Sequence, residues 1–63
     1  RNIMNYSKAL DWLKELAKAV QNEHLTVMQA HAEVFDEMGN DDHDAETETL
    51  FFEFTRSDTS KFV

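Results

Sequence analysis

The chain has sixty-three residues, and thirteen Asp and Glu against six Lys and Arg give it a formal net charge of −7. So acidic a surface repels a nucleic-acid backbone, so no DNA or RNA partner is expected, and a basic protein partner is the one attracted. There is no cysteine, which removes disulfides, thiol chemistry and cysteine-based zinc sites. No run of about eighteen apolar residues occurs, so no membrane helix is expected.

From Ser7 to Met38 the apolar residues recur every three and four positions. With Leu10 set at position a of a heptad, a holds Leu10, Ala17, His24, His31 and Met38, and d holds Leu13, Val20, Val27 and Val34. Position f, on the far side, holds Lys8, Glu15, Asn22, Gln29 and Asp36. A continuous apolar seam with a polar back predicts one amphipathic helix over 7–38. Asn5 or Ser7 supplies a capping oxygen at its start. Gly39 is expected to end it by taking the left-handed conformation. At about 1.5 Å per residue that helix measures roughly 48 Å, too long to bury its seam against so short a chain. The stripe also widens in its second half, where position e changes from Ser7, Lys14 and Gln21 to Met28 and Phe35, while position g holds Ala9, Leu16, Glu23, Ala30 and Glu37. That widening predicts a second neighbour, namely the chain's own return segment. Trp12 and Leu25 fall off the seam.

Residues 39–44 read as a turn, because Gly and Asx side chains tolerate left-handed backbone and bond their own main chain. Residues 44–56 are predicted to form a second helix folding back on the first. Acids at its start and Arg56 at its end complement the helix dipole, and Leu50, Phe51 and Phe54 share one face. The alternative is a β-strand over 47–56, favoured by threonines, phenylalanines and the alternation Leu50, Phe52, Phe54. Residues 57–63 read as a disordered polar tail ending in an apolar pair. The predicted fold class is therefore all-α: a single domain over 1–63, built as a helical hairpin that assembles into a dimeric bundle.

The charge is uneven. Residues 1–20 carry Arg1, Lys8, Lys14 and Lys18 against Asp11 and Glu15; residues 21–63 carry eleven acids against Arg56 and Lys61. No glycine-rich phosphate loop or nucleophile setting is present, and no enzyme activity, cofactor or metal is expected. His24 and His31 at successive a positions, with Met28 between them, are the candidates should a metal bind. They lie about 10.5 Å apart along one helix, so a shared metal would need two chains.

The functional expectation is a non-enzymatic interaction module that forms a homodimer or higher homo-oligomer through its seam and presents an acidic surface to a protein partner. Its expected interface comprises Leu10, Leu13, Leu16, Ala17, Val20, His24, Val27, Met28, His31, Val34, Phe35, Met38, Leu50, Phe51 and Phe54. Two alternatives stand beside it. One is an acidic inhibitor or antitoxin-like regulator whose residues 41–63 fold on a basic target. The other is a metal- or cofactor-binding bundle using His24, Met28 and His31. The first residue is Arg1 rather than methionine, so the chain reads as a piece or processed product of a longer one, with a cytoplasmic setting expected by default.

Overall fold

The computed structural model describes residues 5–39, 43–56 and 59–63. Expectations for residues 1–4, for the centre of the turn at 40–42 and for residues 57–58 lie outside the described residues. Three α-helices follow in order: α1, Tyr6–Gln21; α2, Val27–Gly39; and α3, Ala45–Arg56. A short 3-10 helix, Thr59–Phe62, closes the chain.

The long helix expected over 7–38 is two helices. The chain's longest dimension is 31 Å, well short of the roughly 48 Å that thirty-two helical residues require. The break has a local cause on each side. α1 ends in a Schellman turn: the His24 N–H donates to the Ala19 carbonyl at 2.8 Å, and the Glu23 N–H to the Val20 carbonyl at 3.0 Å. Glu23 holds the left-handed position of that turn, with φ of 63°. α2 begins in a reciprocal capping box. The Gln29 N–H donates to Thr26 Oγ1, and the Thr26 N–H donates to Gln29 Oε1, both at 3.0 Å. Leu25 lies just before that cap and packs partly buried on the core. Each half of the linker thus satisfies helix-end groups that a continuous helix would have bonded internally.

The left-handed residue is therefore Glu23, not Gly39. Gly39 is the last residue of α2 and has no positive φ. A side chain in the left-handed region costs about 1–2 kcal/mol, which glycine avoids at some loss of unfolded-state order. Glu23→Gly is expected to stabilise the chain by about 0.5–1 kcal/mol. Urea denaturation followed by circular dichroism would read this as a raised midpoint, and a lowered midpoint would contradict the turn.

α1 starts at Asn5, whose side-chain oxygen accepts the Lys8 N–H at 2.9 Å. It buries Ala9, Leu13, Leu16 and Ala17. α3 starts at Asp44, which accepts the Thr47 N–H at 2.9 Å. That bond, first, and the neighbouring Thr47 hydroxyl hold the Asp44 carboxyl below its ordinary value, and His43 adds a smaller attraction. The Thr47 hydroxyl is itself buried and has no further hydrogen-bond partner of good geometry among the described residues. A depressed carboxyl contributes stability above the unfolded aspartate's titration range and loses it as pH falls through the folded value, so the start of α3 weakens in acid.

The second helix expected over 44–56 is thus present, with Asp44 as its cap, and the strand alternative over 47–56 is overturned. No strand occurs among the described residues. The reason is tertiary: as a helix, α3 puts Leu50, Phe51 and Phe54 on one side and packs between α1 and α2. A strand would have left its backbone groups without a sheet to join.

Aromatic rings fill the centre. Phe51 and Phe54 are both fully buried. Trp12 meets Phe51 edge-on at 5.9 Å, so this off-seam tryptophan is a half-buried packing residue. Phe62 packs on Phe54 at 5.2 Å. That contact, with buried Thr59, ties residues 59–62 to the core and corrects the expectation of a disordered tail.

Candidate protein–protein interface

The structure divides the expected interface into two groups. Leu13, Leu16, Ala17, Val34, Leu50, Phe51 and Phe54 are buried within the single chain, and Leu10, Val20 and Met38 pack partly buried beside them. These residues close the chain's own core. The buried line of α1 and α2 also runs off the heptad seam. Ala9, Leu16 and Ala30 are buried at position g, whereas Leu10, His31 and Met38 at position a are only half-buried. The apolar face turned inward because α3 sits against that side of both helices.

What remains is the outer face of α2. Met28 is 81% exposed, Phe35 56% and Val27 46%. With Ala32 and His31 they line one shallow apolar depression on the surface. Successive helical residues are about 100° apart, so Met28 and Phe35 lie within about 20° of each other around the axis, one above the other. His31 and Ala32 flank them on either side, midway along. Ala30 and Val34 face the opposite way, into the core, and both are fully buried. α2 is therefore apolar on two faces, and one of them is covered. The acids of α2, Glu33, Asp36 and Glu37, occupy its remaining side, and α2 carries no lysine or arginine.

The widened stripe in the sequence was the signal of this second face. The expectation that the return segment docks there is corrected by the structure: α3 covers the face of Ala30 and Val34 and leaves Met28 and Phe35 outside. Ala32 was not singled out in the sequence. Its signal was available, since it lies four residues from Met28 and completes the row.

The histidines do not share a site. His24 lies exposed in the linker, in a depression with Val20, Glu23, Leu25, Thr26 and Gln29. His31 turns its ring toward Phe54, edge-on at 5.7 Å, and its Nε2 is buried with no hydrogen-bond partner among the described residues. His43 likewise stacks on Phe51 at 5.4 Å. No group of three or more His, Cys, Asp or Glu fit to hold a metal occurs among the described residues. A second surface groove between α1 and the 3-10 helix is lined by Lys14, Lys18 and Lys61 together with Asp11 and Glu15. Its mixed charges select no one ligand. No helix is long and apolar enough to cross a membrane among the described residues. No protein family, curated protein or solved structure matches this chain.

Proposed function

We propose that this chain is a non-enzymatic protein–protein interaction module that self-associates through the outer face of α2. The exposed row of Val27, Met28, Ala32 and Phe35 carries the proposal. Among the described residues the chain already has a closed core of nine buried apolar residues, so this face is not needed to fold it. A methionine and a phenylalanine left in water on a helix with a covered face elsewhere are the pattern of a docking patch. Asp36, next to Ala32 around the same helix, gives a basic partner a second way to approach. The fold-on-binding alternative has less support, because Leu50, Phe51 and Phe54 fill the core without a target.

Sedimentation equilibrium tests the reading. The wild-type chain is expected to pass from monomer to dimer as concentration rises. Five residues of one helix fall far below the roughly 20–30 residues a side of a standard interface, so the association belongs to the weak class. Two copies of charge −7 repel, so added salt is expected to strengthen the dimer. Met28→Glu with Phe35→Glu is expected to abolish it while leaving helicity unchanged, since both side chains are exposed. A wild type that stays monomeric at millimolar concentration would end the proposal.

A further inference from the structure

We infer that the outer face of α2 receives a basic amphipathic helix of another protein, with the partner's apolar stripe on Met28, Ala32 and Phe35 and its lysines or arginines along the Asp36 edge. The inference rests on reading this face as a docking patch, and it holds whether or not two copies also pair there.

The two edges of the exposed row differ. With Met28 and Phe35 as the centre line, Ala32 lies about 50° to one side around the axis and His31 about 50° to the other. Asp36 follows on the Ala32 side at about 90°, with Gln29 beside it and Glu33 about 60° beyond. Val27 and Met38 follow on the His31 side, so that edge carries no acid. Gln29, Glu33 and Asp36 are all exposed. Among the described residues neither Glu33 nor Asp36 is held in an ion pair. The row is thus apolar, with unpaired negative charge along one edge only.

The described cations lie elsewhere. α2 has none. Lys14, Lys18 and Lys61 gather in the groove between α1 and the 3-10 helix, and Arg56 lies over the Phe52 ring. Nothing on α2 therefore answers Asp36 and Glu33. The net charge of −7 draws a positive chain from a distance, and it repels a second copy.

A helix suits this face better than an extended segment does. α2 bonds its own backbone and has no free strand edge to which a peptide could add. Its outer surface is a ridge at Met28 and Phe35 with the small Ala32 between them, against which side chains spaced three and four residues apart on a partner helix pack. Lysine and arginine stems are long enough to lie over Ala32 while setting their charge at Asp36.

The probe is a synthetic peptide of about four helical turns, with leucines every three and four positions and lysines along one flank. Labelled and titrated with the full chain, it is expected to bind by fluorescence anisotropy, and more weakly as salt rises. Its twin with glutamates for lysines is expected not to bind. Phe35→Ala is expected to lower the affinity about tenfold. Glu33→Gln with Asp36→Asn is expected to lower it several-fold and to flatten the salt dependence. Glu46→Gln with Glu53→Gln removes the same charge from a groove beside Tyr6 and is expected to change the affinity less than about twofold. All of these side chains are exposed, and circular dichroism checks that each variant keeps its helices. Equal losses from the two acid pairs would mean general attraction to an acidic surface and would overturn the inference. So would undiminished binding in Phe35→Ala, or no binding by the wild type. Sedimentation of the same samples separates the inference from self-association. A monomeric wild type that binds the peptide keeps the basic helix and removes the self-pair. A dimeric wild type that does not bind it makes a second copy the occupant and overturns the inference.

Discussion

Phe54→Ala is expected to unfold most of the chain at ambient temperature. Phe54 is fully buried and is stacked by His31 at 5.7 Å and by Phe62 at 5.2 Å. It therefore joins α3 to α2 and to the 3-10 helix at once. Truncating a buried phenylalanine costs about 3–5 kcal/mol. A core of this size rarely supplies more than about 3–5 kcal/mol in total. Chemical denaturation followed by far-ultraviolet circular dichroism would show the transition lost or starting without denaturant. Phe52→Ala is the control. That ring is 40% exposed, and its main partner is the Arg56 guanidinium, 5.7 Å from the ring centre. Its loss is expected to cost about 1 kcal/mol or less. Equal effects of the two substitutions would mean that α3 presents a different side to the core.

Leu13→Ala carries the second large effect, about 2–5 kcal/mol, because Leu13 is fully buried in the core. Leu10→Ala separates the observed core from the heptad seam. In a zipper, Leu10 and Leu13 are the a and d residues of one seam and matter alike. In this structure Leu10 is only half-buried, so its truncation is expected to cost well under half as much. Denaturation midpoints of the two variants give the comparison. Fluorescence of Trp12, which packs on Phe51, gives a local readout of the same core. Matching losses at both positions would favour the zipper register.

Both substitutions bear on what was legible before the structure. The candidate site was legible in part. The sequence showed that Met28 and Phe35 widen the apolar stripe, but it could not say which of two apolar faces α3 would cover. That choice depends on how α3 packs across both α1 and α2, a relation between residues far apart in the chain. His24 and His31 are seven residues apart and share a heptad position, yet one lies exposed in the linker and the other against Phe54. Their shared position held only while the helix was continuous.

By itself, the sequence determined a helical class with a strand left open over 47–56, a second helix over 44–56 folding back on the first, a capping oxygen at Asn5 or Ser7, and one shared face for Leu50, Phe51 and Phe54. These follow from local rules: periodicity, capping oxygens and charge at helix ends. The tertiary structure decided the break at residues 22–26 and the inward face of each helix. The apolar period runs unbroken through the linker, so periodicity could not reveal the break. Thr26 and Gln29 did spell a capping box, but a box competes with continued helix at a difference of only about 1–2 kcal/mol. Burying Phe51 and Phe54 between two separate helices is worth more than that. A straight helix would have left them half in water, and the chain bends to cover them.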